Sequence, residues 1–240
     1  TTTKEILATL LSEKFKVNKT VANNNNHVGV PLTILSTNEK HNVLVAELGT
    51  NHFGEIPYTS ATASPDLAII TNIGDSHLKY LKNRKGVFTE KVALLNETTN
   101  RGGKVFINND DTILKEFGKS VKNKITFAIN EKADYKVSIK GYDKLARPQI
   151  EIKSKKNVFS TTLPISGEKD VLNFTAAYAI ARELGLTDSQ IQKAVKKIKS
   201  YNKRLEIKNL KKFTLINDTY NANPDSMKSS SNKRANAGCR

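Results

Sequence analysis

Apolar positions along the chain fall into two alternating rhythms. Ile6, Leu7, Leu10, Leu11 and Phe15 recur at helical spacing and predict a helix over residues 1–15. Asn42 to Leu48 is an apolar run closed by Gly49, and Asp66 to Ile73 is another closed by Gly74; both read as buried strands. Lys104 to Ile107 and Lys124 to Ile129 are shorter strand candidates, separated by helical stretches at 84–99 and 111–119. Strands alternating with helices predict an α/β fold, a mostly parallel sheet covered on both faces.

The rhythm changes after residue 134. Val137, Ile139, Ile150, Ile152, Val158 and Phe159 alternate with polar residues and predict antiparallel hairpins at one edge of the sheet. Helices follow at 171–184 and 188–199. Phe213 to Asn217 opens a new strand, and Pro224 suits the first turn of a helix. That helix loses its apolar period in the final stretch, Ser229 to Arg240, which is expected to be a disordered or non-native tail.

Composition narrows the class. Hydrophobic residues make up 38% and charged residues 26%, a globular balance. No apolar run approaches the roughly 20 residues of a membrane span, and no secretory leader is legible. Cys239 is the single cysteine, so an intramolecular disulfide is impossible and a reducing, cytoplasmic setting is expected. The net charge of +16 reads first as a Lys-rich composition on solvated faces, and second as an electrostatic attraction for nucleotides. Nucleic acid is not expected as a partner: the lysines are scattered, and aromatics, at 7%, do not interleave with them as stacking platforms.

Some polar residues stand where chemistry is done. Thr1, Thr2, Thr3 and Lys4 open the first helix, either as a plain N-terminal cap or as the second half of a phosphate loop. Glu47 and Asn51 follow the 43–49 strand at the edge where open parallel sheets bind ligands, and a carboxylate there can hold Mg²⁺. Either residue can equally be a loop or capping group. His77 follows the next strand and can be structural. Lys91 lies on the helix after it. A surface lysine is the ordinary reading; a neutral amine there can instead add CO₂, and the resulting carbamate can ligate a metal. The segment Asn217-Asp-Thr-Tyr-Asn-Ala-Asn-Pro-Asp-Ser-Met227 is more specific than any bland turn requires.

Seven ordered segments, "TTTKE", "NNNNHVGVPLTIL", "VAELGTNHFGEI", "ITNIGDSHL", "GGKVFINNDD", "KRLE" and "NDTYNANPDSM", together resemble the Mur ligase family over residues 1–228. The resemblance implies a phosphate-loop ATPase fold for residues 1–206, lacking the first part of its phosphate loop. It implies the start of a Rossmann-like C-terminal ligase domain at 207–228, with 229–240 as the tail. The Tyr-Asn-Ala-Asn-Pro segment points to the members that add D-alanyl-D-alanine to UDP-N-acetylmuramoyl-tripeptide for peptidoglycan and the cell wall. ATP and Mg²⁺ are the implied cofactors, and a cytoplasmic monomer the implied state. Thr1 and Glu47 are implied to hold a first Mg²⁺ and His77 a second, with a carbamylated Lys91 among the metal ligands; Glu47, His77 and Lys91 are also the implied catalytic residues. Asn173, Arg204 and Asp218, with Thr1, are the implied ATP contacts; Asn25, Asn26 and Asn223 are implied to face the substrate.

Departures accompany these matches. The phosphate-loop Gly and Lys are absent, Ala22 replaces a usual Gly, Lys169-Asp170 replaces His-Asn, and Ala93 stands where an acid commonly follows the lysine. The chain alone is therefore expected to be inactive. Two other readings stay open: a folylpolyglutamate-type ligase, and a non-catalytic nucleotide-binding fragment.

Overall fold

A computed structural model of the protein describes residues 1–145, 147–165 and 167–199, with the backbone of two further strands at 206–210 and 213–217. The chain begins with α1 (Thr2–Leu11), β1 (Val17–Lys19), α2 (Gly29–Leu35), β2 (Val43–Val45) and α3 (Glu55–Ala63). It continues through β3 (Leu67–Ile70), α4 (Leu78–Leu81), α5 (Arg84–Asn100), β4 (Lys104–Asn108), α6 (Thr112–Gly118) and β5 (Lys124–Ala128). Three long strands, β6 (Tyr135–Tyr142), β7 (Pro148–Lys153) and β8 (Val158–Thr162), precede α7 (Glu168–Glu183) and α8 (Asp188–Val195). β9 (Glu206–Leu210) and β10 (Phe213–Asn217) close the described part as an antiparallel pair.

The main sheet has six strands in the order β3-β4-β5-β6-β7-β8. β3 through β6 pair in parallel, and β6, β7 and β8 pair antiparallel at one edge. This is the architecture the apolar rhythms predict. Its core divides by the two-residue period of a strand. Phe106 of β4 packs with α1 and α7, whereas Val105 and Ile107 face Leu95 of α5 and Leu114 of α6. Helix α7 is apolar nearly all round: Val171, Phe174 and Ala176 through Ala181 are all buried. Such a helix belongs inside a core, and α1 packs against it through the Leu10 and Leu11 face. Burying each large side chain of this kind contributes about 1.5–3 kcal/mol.

Two sequence expectations change. The run 42–48 yields only a three-residue strand, β2, whose ladder bonds go to β1. β2 and β3 are therefore not hydrogen-bonded neighbours, contrary to the expectation that Glu47 and His77 follow adjacent strands. The first helix also stops early: Ser12 caps it, and Phe15 packs on the core from beyond its end. Among the described residues, no helix is long and apolar enough to cross a membrane.

Candidate functional site

β1 and β2 run parallel, so the segments that leave them emerge at the same edge. The Thr20 N–H donates to Val45 O (3.1 Å), and Thr20 Oγ1 accepts from Glu47 N–H (2.9 Å). Those two bonds carry the pairing past the strands and present Glu47 to the head of α1. There Thr1 Oγ1 donates to Glu47 Oε1 at 2.8 Å. Asn25 Nδ2 reaches the same oxygen at 3.3 Å, and Gly49 N–H donates to Asn25 O at 2.7 Å. A Cβ at Gly49 would lie 2.7 Å from the Asn25 side chain, so glycine is what lets the two segments approach this closely. Burial pushes the Glu47 carboxyl up, while the Thr1 hydroxyl and the Lys4 ammonium pull it the other way.

Asn173, in the first half of α7, accepts a 3.1 Å hydrogen bond from Thr3 Oγ1, so it too lies against the head of α1. Asn26 has a more local occupation. Its Oδ1 accepts from Val28 N–H (3.1 Å) and Gly29 N–H (2.8 Å), which starts α2. Ala22, three residues upstream of Asn25, is held at φ +50°, the left-handed region that a glycine would occupy without strain.

A second group forms beyond β3. Asn108 Nδ2 donates to Thr71 O (2.8 Å) and Asp111 Oδ2 accepts from Ile73 N–H (2.6 Å), so the segment leading to His77 is tied down twice. His77 itself is left-handed (φ 54°), opens α4 and exposes its imidazole, which makes no hydrogen bond to a described residue. Lys91, on α5, brings its Nζ to 3.5 Å from Asn72 O, just past the end of β3. Burial pushes its amine below the ordinary lysine value, and the nearby Asp111 carboxylate opposes that in part.

The structure thus brings Thr1, Asn25, Glu47 and Asn173 around the head of α1, and sets Lys91 against the segment that carries His77. Among the described residues, no hydrogen bond joins Glu47 to His77 or Lys91. Arg204, Asp218 and Asn223 lie outside the described residues, as does the stretch 229–240. Among the described residues, no three His, Cys, Asp or Glu side chains group as a metal cage. Glu47 Oε2 is buried without a hydrogen bond, 3.3 Å from the Lys4 ammonium, and the other oxygen already meets the Thr1 hydroxyl. Mg²⁺ keeps several waters and takes phosphate oxygens, so one carboxylate and one hydroxyl form a fitting donor set.

Sequence reading misses Glu90. Its side chain is buried beside Lys91, and it accepts from Ile56 N–H (2.6 Å), Gly54 N–H (2.8 Å) and Thr50 Oγ1 (3.3 Å). It anchors the start of α3, and with it the loop that follows Glu47, to the helix that carries Lys91. An acid next to a lysine on a helix gives no sequence signal of this, because solvated Glu-Lys pairs are commonplace.

Comparison with known proteins sets this geometry in context. The family model described as Mur ligase middle domain matches residues 1–181. The UDP-N-acetylmuramoyl-tripeptide–D-alanyl-D-alanine ligase of Bacillus subtilis is 34% identical over 229 residues, covering 95% of this chain and 49% of that protein. A crystal structure of MurF from Acinetobacter baumannii superposes with a TM-score of 0.88 at 32% identity, covering 97% of this chain and 51% of that one. The MurF ligase of Thermotoga maritima in complex with ADP gives 0.85 at 27% identity, covering 95% and 53%. The chain spans about half the length of the curated relatives it matches.

Proposed function

This chain belongs to the Mur ligase family, and on that footing we propose that it is the ATP-using part of a ligase that adds D-alanyl-D-alanine to UDP-N-acetylmuramoyl-tripeptide. The observation that carries the reading is the meeting of Thr1 and Glu47 at the head of α1. It supplies a hydroxyl and a carboxylate where a nucleotide phosphate would approach the helix N-terminus. The substrate identity rests on the D-alanyl-D-alanine ligases among the relatives and on the segment 217–227.

In this proposal the tripeptide carboxylate takes the γ-phosphoryl group of ATP, giving an acyl phosphate and ADP. The D-alanyl-D-alanine amine then attacks the acyl carbon, and inorganic phosphate leaves. Activation is needed because a free carboxylate has no leaving group other than oxide. Mg²⁺, when bound, would neutralise phosphate charge. Thr1 and Glu47 are the residues to hold it, with His77 and a carbamate on Lys91 as further ligands. The partly buried Lys91 amine suits CO₂ addition, since that reaction requires the neutral form. Asn25 and Asn173 border the same space and are assigned to substrate and nucleotide. Arg204 and Asp218 are assigned to the ATP phosphate and ribose, and Asn26 and Asn223 to the substrate side.

The division at about residue 206, a monomeric state and a cytoplasmic location belong to the same proposal. Because the chain spans half of its relatives, turnover is assigned to the complete gene product, and the 240 residues alone are expected to be at background. Phosphate release should require ATP, the UDP-linked tripeptide and D-alanyl-D-alanine together. Release with a folate substrate and glutamate instead would transfer the chain to the folylpolyglutamate-type reading.

A further inference from the structure

Lys4 is among the most buried charged residues described, at 5% exposure. Its Nζ donates to Thr20 O at 2.8 Å and to Ala22 O at 3.1 Å. It also lies 3.3 Å from Glu5 Oε1 and 3.3 Å from Glu47 Oε2. One ammonium therefore meets two backbone carbonyls and two carboxylates. Glu5 is in turn paired with Lys19 on β1. Nothing in the proposed chemistry uses Lys4, yet it joins three segments that meet at this edge: α1, the 20–22 backbone and Glu47.

The contacts have a direction. The 20–22 backbone leads straight to Asn25, whose carbonyl accepts from Gly49 and whose amide reaches Glu47. At φ +50°, Ala22 holds its strained conformation while its carbonyl points at Lys4. A left-handed non-glycine residue persists only where its surroundings over-determine it, and the Lys4 bond is one such determinant. On the other side, the ammonium faces the Glu47 oxygen that has no hydrogen bond. A bare carboxylate oxygen is costly to bury unless a charge stands opposite it.

We propose that Lys4 is a positioning residue: its buried ammonium sets Glu47 and the Asn25 segment in register with the head of α1 before any ligand arrives. The catalytic consequence rests on the site reading given above. The positioning itself does not, and the two are tested separately.

Amide hydrogen exchange in the full 240-residue chain reads the positioning. In Lys4→Met, protection of the Gly49 amide, which donates to Asn25, should fall about tenfold relative to the Phe106 and Ile107 amides of β4. That is the effect of losing one hydrogen bond to a charged group. Lys4→Arg, which keeps a cation, should restore part of it. If Lys4→Met does not fold, Lys4→Gln is read in the same way. Unchanged Gly49 protection overturns the proposal. So does a uniform loss in which Gly49 falls no further than Phe106, which would assign Lys4 to fold stability alone. Mn²⁺ added to the unsubstituted chain, as a paramagnetic stand-in for Mg²⁺, reads the site. Broadening of the Glu47 amide supports the metal reading. Its absence counts against that reading and leaves the Lys4 result to stand or fall by exchange.

Discussion

Thr1 and Glu47, 46 residues apart in sequence, are joined by a 2.8 Å hydrogen bond from hydroxyl to carboxylate. The bond exists because β1 and β2 are parallel and deliver their following segments to one edge, where α1 begins. The same edge gathers Asn25 and Asn173.

Ala22→Gly should stabilise the protein slightly. Relief of left-handed strain is worth about 1–2 kcal/mol, and the extra freedom of glycine in the unfolded chain takes back about 0.4–1 kcal/mol. Thermal unfolding should therefore shift up by a degree or more, with no change in the contacts of Asn25. A lower midpoint would show that φ +50° is not strained here.

Lys91 should titrate below the ordinary lysine value. Burial lowers its proton affinity in the folded state, and Asp111 recovers only part. The sign for stability follows: between the lowered folded value and the ordinary 10.5, the unfolded chain binds more protons, so this residue makes stability rise with pH in that window. ¹³C-dimethylation followed by NMR titration reads the midpoint directly. In the complete gene product, Lys91→Ala should abolish ligation, and bicarbonate should not restore it because no amine remains.

Glu90→Ala should be among the costlier single changes. It strips two backbone N–H groups, Gly54 and Ile56, of their partner in a buried setting. A loss of about 3 kcal/mol is expected, lowering the melting temperature by roughly 6–12 °C. Glu90→Gln should fall between, since one amide face presents a donor to a donor. A melting temperature unchanged in Glu90→Ala would remove Glu90 as the anchor of α3.

Much of this architecture is legible in the sequence, and the failures have physical reasons. The apolar runs closed by glycine give β3 and the parallel order, and the alternation at 134–163 gives β6 to β8, because burial on one or both faces writes its period into the residues. β1, Val-Asn-Lys, is missed because three mixed residues carry no period. α2 is missed because Gly29 and Pro31 read as breakers, although proline is tolerated in a first turn, where its missing N–H has no intrahelical partner. Of the site, Thr1, Glu47 and Asn25 could be named from motif order alone. The burial of Lys4 and Glu90 could not, because it depends on which elements close over them.

The most direct test is phosphate release by the complete gene product with Glu47→Gln beside the unsubstituted protein. With Mg-ATP, UDP-linked tripeptide and D-alanyl-D-alanine, the variant should lose about 10²-fold or more in kcat, as expected when a group that orients a metal and its phosphate is neutralised. Thermal stability should fall as well: Thr1 and Asn25 can still hydrogen-bond the amide oxygen, but the buried Lys4 ammonium loses the carboxylate it faces. Turnover that survives Glu47→Gln undiminished would contradict the account.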